Sequence, residues 1–353
     1  MIPIAEHKEN LKLKKLCEEF IHSNRPKYVL GTNEFAKSIA ENVEIDGFID
    51  DFTSEKLFGN KPIVPIELIP KNSIIAIAVI GIQPLTAIKR VRKTNLKYID
   101  YFSLIKYSNL KLLKIPFISN FEKDFERNFK KYELIYNLLS DKKSKKEFVN
   151  IINFRLTYDL CFMENFSNIQ QHQYFEEFIK FKKIVNFVDI GGFDGYTSLT
   201  FIKKCPHYES IHFFEPDESN LLRAKSILKD YKNIFYYKIG LSDRKEVVKF
   251  SSEGSSSNIN ECGNIIIETD ILDNIVKEPI SYIKMDVEGW ESKVIEGAKN
   301  TIKEYKPTLA VCVYHKCNDL WAIPEQVLSI RDDYKIYLRH YTEGITETVM
   351  YFV

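Results

Sequence analysis

At 353 residues the chain exceeds one ordinary domain and is long enough for two hydrophobic cores. Its 50 Lys and Arg are balanced by 49 Asp and Glu, so bulk charge draws it toward neither nucleic acid nor acidic membranes. The six cysteines, Cys17, Cys161, Cys205, Cys262, Cys312 and Cys317, lack C-x-x-C spacing and read as reduced thiols of a cytoplasmic protein, not as zinc ligands. The first residues turn charged before an apolar core develops, so no signal peptide is expected. No apolar run approaches the roughly 18 residues that a membrane span needs.

The first elements form a unit expected over residues 1–110. Residues 27–36 read as a strand, a turn at Gly31 and a helix start, and residues 47–51 as a second strand ending in Asp50 and Asp51. Residues 62–65 and 73–80 supply further extended segments, the latter apolar throughout, as a central parallel strand should be. The pattern resembles the small Rossmann-like domain that opens some sugar acetyltransferases and sugar C-methyltransferases. Gly31 stands alone where dinucleotide binding would need G-x-G-x-x-G, which favours a structural or docking role. If this unit takes a ligand, a nucleotide-sugar or polyprenyl-linked sugar is expected.

Residues 111–183 read as a helical linker or lid. Phe121, Phe125, Phe129, Tyr132, Tyr136 and Leu139 recur at three- and four-residue steps and give one apolar stripe. Ser144 and Glu147 have the spacing of a capping box that opens the next helix, which runs through Phe148, Ile151, Ile152 and Leu156. The Lys142–Lys146 charges read as a solvated face. Residues 170–175 are polar until Tyr174 and Phe175.

The most informative stretch is DIGGFDGYT at 189–197. A short apolar run ends in Asp189, three glycines fall within five residues, and a helical pattern follows. Glycines there let backbone approach a ligand, and the next helix offers its free N–H groups. An acidic residue before the glycines repels pyrophosphate and suits a cation or an ammonium group. A second buried strand, 211–214, ends in Glu215, a carboxylate placed to take both hydroxyls of a ribose. Ammonium plus ribose without phosphate describes S-adenosylmethionine better than NAD. Residues 233–243 read as a strand that ends in a polar turn and residues 281–291 as a strand that ends in Asp286 and Glu288, with further strands expected at 308–314, 334–337 and 347–352. The Ser-rich residues 251–258 read as a loop on the cleft rim. Asp270 and Asp273 read as helix-capping groups.

The sequence from about 185 to 353 resembles the FkbM-type methyltransferases, class I enzymes that use S-adenosylmethionine. The matching elements are DIGGFDGYT at 189–197, Glu215-Pro216, GLSD at 240–243 and IKMDVEGWESKVIEGA at 283–298, the last being long and specific. One departure is Gly192-Phe193, where many members carry Ala-Asn. The resemblance implies an α/β fold with a class I methyltransferase sheet over 184–353. It also implies a cofactor site drawn from Asp189, Gly191, Gly192, Phe193, Asp194, Gly195, Thr197, Glu215, Pro216, Asp217, Ser242, Asp243 and Asp286. Family position puts Tyr174 near the cofactor mouth, and the Tyr314-His315 and Arg339-His340 pairs suggest substrate binding. The acceptor it implies is a hydroxyl, most often of a sugar or glycan precursor for a surface polysaccharide.

Methyl transfer to a weakly acidic hydroxyl calls for a positioned base, and His315, Asp286 and Glu288 are the candidates. Imidazole has the ordinary pKa for the task, and alternation would put Lys284, Asp286 and Glu288 on one side of an extended chain. The alternative is a strand-end histidine that only bonds to backbone. Arg339, His340 and Tyr341 cannot all be buried on one face, so at least one is expected to meet solvent or ligand. Arg339 would hold a substrate phosphate or carboxylate, or else pair with Glu343 or Asp332. No metal is expected, although Asp286, Glu288 and His315 could make a site as in magnesium-dependent catechol-type methyltransferases. The rival functions are an NAD-dependent sugar-modifying oxidoreductase and a non-catalytic scaffold with the cofactor fold. Self-association is left open.

Overall fold

The computed structural model describes every residue except 7, 8, 252–257 and 260–264. The chain divides into two units. One comprises residues 1–123, 146–170 and 340–347, the other residues 124–145, 171–339 and 348–353. The expected linker, 111–183, is therefore shared between the units and is not a unit of its own. The two long helices that fill it, Phe121–Leu138 and Lys142–Thr157, each cross the boundary.

The first unit is built on β1 (Lys27–Leu30), β2 (Gly47–Ile49), β3 (Leu57–Phe58), β4 (Lys61–Val64), β5 (Ile74–Ile77) and β6 (Lys97–Asp100), in the order β3-β4-β2-β1-β5-β6. All neighbours run parallel except β3 and β4. The all-apolar β5 is wholly buried, as a central parallel strand should be. Beyond β1, Thr32 donates to Asp50 and Asn33 caps the helix Glu34–Asn42.

The second unit carries β7 (Asn186–Ile190), β8 (Ser210–Phe214), β9 (Ile234–Tyr237), β14 (Tyr282–Met285), β15 (Thr308–Cys312), β16 (Ile336–His340) and β17 (Thr348–Phe352). Their order is β16-β17-β15-β14-β7-β8-β9. Strands β15, β14, β7, β8 and β9 are parallel neighbours, and β17 lies antiparallel on β15. A smaller sheet joins β10 (Gly240–Leu241), β11 (Glu246–Ser251), β12 (Asn258–Ile259) and β13 (Ile265–Asp270). The chain leaves β7 toward β8 and β9 and later returns to β14 on the other side of β7. The crevice beyond the carboxyl ends of β7 and β14 is thus the switch point at which such sheets bind ligands. Beneath it, Phe187 stacks on Phe201 at 4.3 Å and on Tyr282 at 5.3 Å.

Three local expectations shift. The helix after the aromatic stripe begins at Lys142, and its first turn is capped by Asp141, which accepts from Ser144 N; Ser144 is inside the helix rather than its cap. The penultimate strand begins at Ile336, later than expected, and runs on to His340. Extended backbone ends at Met285, so alternation does not align Lys284, Asp286 and Glu288; Glu288 sits at φ +51° in a turn. Asp273 does cap a helix: it accepts from Asn300 N and Thr301 N at the start of Lys299–Tyr305. The Ser-rich stretch lies largely outside the described residues. Cys17, Cys161, Cys205, Cys312 and Cys317 are free thiols. Among the described residues no helix is long and apolar enough to cross a membrane.

Candidate active site

The register of the parallel strands brings the ends of β15, β14, β7 and β8 to one edge: Met285 lies beside Ile190 and Val311, and Ile190 beside Phe214. The loop after β7 turns tightly over this edge. At Gly191 φ is +69°, and a Cβ would sit 1.8 Å from the Asp286 carbonyl oxygen, so only glycine fits. At Gly192 a Cβ would fall 2.3 Å from the Phe213 ring, so an alanine there would require that buried ring to move. Phe193 follows in the left-handed region at φ +51°, unusual for a bulky side chain.

Glu215 holds that turn. Its Oε2 accepts from Phe193 N at 2.9 Å and its Oε1 from Asp217 N at 2.9 Å. Burial raises its pKa, the two backbone bonds and Lys284 work against this, and the result is about 7. Each oxygen keeps a lone pair for a further donor.

Asp189 is placed otherwise than expected. It is fully buried, and the cation that faces it is the chain's own Lys284, 3.4 Å from Oδ1; Ser198 donates to Oδ2 at 2.7 Å. Burial would lower the Lys284 pKa, but Asp189 and Asp286 outweigh it and keep the ammonium charged. Lys284 also donates to the Ile190 and Gly191 carbonyls, tying β14 to the glycine loop. Its ammonium stands 5.5 Å from the centre of the Tyr174 ring.

Tyr174 is buried and held at both backbone groups. Its N–H donates to Tyr351 Oη, while its carbonyl accepts from Tyr282 Oη. Its hydroxyl donates to Asp286 Oδ2 at 3.0 Å and lies 3.3 Å from Cys312 Sγ.

Asp286, Glu288 and His315 converge, as three ligand-type side chains with donor atoms within 4.8 Å of one another. His315 follows β15 and is oriented by Glu291: Nδ1 lies 2.8 Å from Glu291 Oε1. That carboxylate is almost completely buried and also accepts from Val287 N and Gly289 N of the turn after β14. Burial would lower the His315 pKa, yet Glu291, Asp286 and Glu288 together raise it to about 10. With nothing else bound beside it, His315 is therefore an imidazolium near neutrality, not the free base suggested by its ordinary pKa.

The remaining expected residues divide. Thr197 is half-buried in the first turn of the helix Tyr196–Lys204, and Asp194 accepts from Tyr196 N before it. Pro216 is half-buried, and Asp217 caps the helix Glu218–Ile227. Ser242 is buried and donates to Asp243. Tyr314 lies ring to ring with His315 at 4.1 Å. Arg339, His340 and Tyr341 are all buried, contrary to expectation. Arg339 belongs to the second unit and pairs with Asp141 at 2.6 Å and Glu176 at 3.5 Å, instead of Glu343 or Asp332. His340 belongs to the first unit, packs on Phe166, and is held neutral as burial lowers its pKa to about 3. Sequence reasoning missed Glu291 as the orienting group, although it stands in the quoted 283–298 motif. A surface cleft of about 550 Å³ lined by Phe175, Ile179, Phe181 and several lysines contains none of the strand-end groups.

Residues 189–332 match the model of the methyltransferase FkbM domain. The whole fold is similar to that of a methyltransferase FkbM from Methylobacillus flagellatus, with a TM-score of 0.78, 22% identity, and coverage of 98% of this chain and 94% of that one. More distant is fibrillarin from Aeropyrum pernix with bound S-adenosyl-L-methionine, at TM-score 0.34 and 12% identity over 50% of this chain and 69% of the other. An rRNA methylase from Streptococcus thermophilus stands at TM-score 0.33 and 18% identity, over 48% and 86%. These two are too distant to carry an argument. No curated protein matches. With the strand-end site lying inside the matched residues, the chain is a methyltransferase with a Rossmann-like fold, and it carries the FkbM methyltransferase domain.

Proposed function

We propose that the chain transfers a methyl group from S-adenosylmethionine to a hydroxyl of a sugar or glycan precursor. The observation that carries the cofactor assignment is Glu215. It is a buried carboxylate at the end of β8, beside the glycine loop, with acceptor capacity left on both oxygens. Ribose hydroxyls are the donors it suits. Residues 191–195 would line the cofactor's path, and Ser242 and Asp243 would border it. When bound, the cofactor supplies an electrophilic methyl on a sulfonium centre.

The protein's own part is at the ends of β14 and β15. A sugar hydroxyl gives up its proton reluctantly, and Asp286 and Glu288 provide carboxylates where that proton is drawn off. His315, fixed by Glu291, lies against both carboxylates. Tyr174 holds Asp286 through its hydroxyl and walls the crevice. Arg339 and His340 take no part in this reading, because both are committed inside the protein. A surface-polysaccharide role and a cytoplasmic setting follow from the family resemblance and the composition. Calorimetry with S-adenosylhomocysteine, then transfer of labelled methyl to a panel of glycans, tests the proposal. Absence of cofactor binding would overturn it, and transfer only to amine acceptors would overturn the hydroxyl assignment.

A further inference from the structure

His315 Nε2 lies 3.6 Å from Asp286 Oδ1 and 3.5 Å from Glu288 Oε2. Both separations exceed the roughly 2.7–3.2 Å of an N–H···O hydrogen bond. The His315 side chain is only 8% exposed, and both its Nε2 and Asp286 Oδ1 are buried without a hydrogen-bond partner. A buried nitrogen aimed between two carboxylates at these distances makes ion pairs there but no hydrogen bond. Two donors held about 2.2 Å from one ion stand roughly 3.1 Å apart at a right angle and roughly 3.6 Å apart at a tetrahedral angle, a range that takes in the spacing found.

The surroundings are those of a ligand shell. Glu291 accepts at His315 Nδ1, so that nitrogen carries a proton and Nε2 is left to face the carboxylates. Glu291 is itself pinned by Val287 N and Gly289 N, and Tyr174 donates to the second oxygen of Asp286. A histidine and a carboxylate oriented by partners on their far atoms are the usual support of a bound metal. Counting formal charges, three carboxylates (Asp286, Glu288 and Glu291) surround one imidazole, and a dication balances them better than a proton.

We propose that Asp286, Glu288 and His315 hold a divalent cation, with Mn²⁺ the ion best suited to one imidazole and two carboxylates, and that its open positions seat the acceptor hydroxyl. This rests on the methyltransferase reading and specifies how the same cluster draws off the proton. An alcohol oxygen on a divalent cation is a stronger acid, and its proton passes by way of the Glu288 carboxylate to water.

The test is titration of Mn²⁺ into EDTA-dialysed protein, following free Mn²⁺ by electron paramagnetic resonance. One ion should bind per chain, and Glu288→Ala and His315→Ala should each weaken binding at least tenfold. Glu288 is 27% exposed, so its replacement is compatible with folding even if that of His315 is not. No binding at millimolar Mn²⁺, or binding unchanged in the folded variants, would overturn the cation site. Calorimetry with S-adenosylhomocysteine on the same sample separates the two readings. Cofactor binding without Mn²⁺ binding removes only the cation, whereas Mn²⁺ binding without cofactor binding removes the methyltransferase assignment of this crevice.

Discussion

The pKa of Glu215 makes cofactor affinity depend on pH in a stated direction. In the free protein burial raises it to about 7, so near neutrality the carboxyl is half protonated. Two donating ribose hydroxyls favour the carboxylate, and binding therefore selects the ionised fraction. That fraction is about 0.9 at pH 8 and about 0.1 at pH 6, so affinity should fall roughly tenfold between them, or about 1.4 kcal/mol. Stability of the free protein moves the opposite way. A carboxyl whose folded pKa lies above its unfolded value of 4.5 contributes stability that is full below 4.5 and lost as pH rises through about 7. The assay is calorimetry with S-adenosylhomocysteine from pH 6 to pH 8 on the wild type and Glu215→Gln. The variant should bind about 10- to 100-fold more weakly, since an amide cannot accept from both the Phe193 and Asp217 N–H groups and from the ribose. Its affinity should also lose the tenfold pH dependence. The same slope in both proteins would refute the reasoning.

Three further outcomes follow from the packing beneath the loop. Lys284→Met leaves the fully buried Asp189 without its cation and should cost about 3–5 kcal/mol in denaturant unfolding. Gly192→Ala drives a methyl into the Phe213 ring and should cost about 1–3 kcal/mol, with a matching loss of cofactor affinity as the loop shifts. Tyr174→Phe keeps the ring and removes the hydroxyl that serves Asp286; unfolding should become easier by about 1–2 kcal/mol, and an unchanged midpoint would show that bond to be dispensable.

The parallel sheets were legible because their strands are buried on both faces and so read as short apolar runs closed by Gly or acidic residues. Asp189 and Glu215 stood out for the same reason: a carboxylate at the end of such a run has no structural excuse until its partner is known. The partner is what the sequence withheld. Asp189 is answered by Lys284, a residue of another strand that reaches it only through the β7–β14 register. The Arg339-His340 pair is adjacent in sequence but does not share one set of partners: Arg339 pairs with Asp141 and Glu176, and His340 packs on Phe166. Glu291 stayed hidden because one Glu on a helix start looks like a dipole partner; only the turn after β14 folds it under His315.

The charges at the strand ends favour the cationic methyl donor of the proposed function. Lys284 cancels Asp189 and removes that carboxylate from the balance. Asp286, Glu288, Glu291 and His315 then sum to a formal charge of −2 if His315 is protonated and −1 if a dication takes the place of that proton. In either state this cluster remains negative. The positively charged donor proposed above would be drawn to it, and the neutral product that has lost the methyl group would be held less strongly, which favours release after transfer. Replacing Lys284 by a neutral residue would leave Asp189 uncancelled and deepen the field, yet the buried carboxylate would then break the sheet edge on which the field is mounted. The internal ion pair is therefore a condition of the site as well as of the fold.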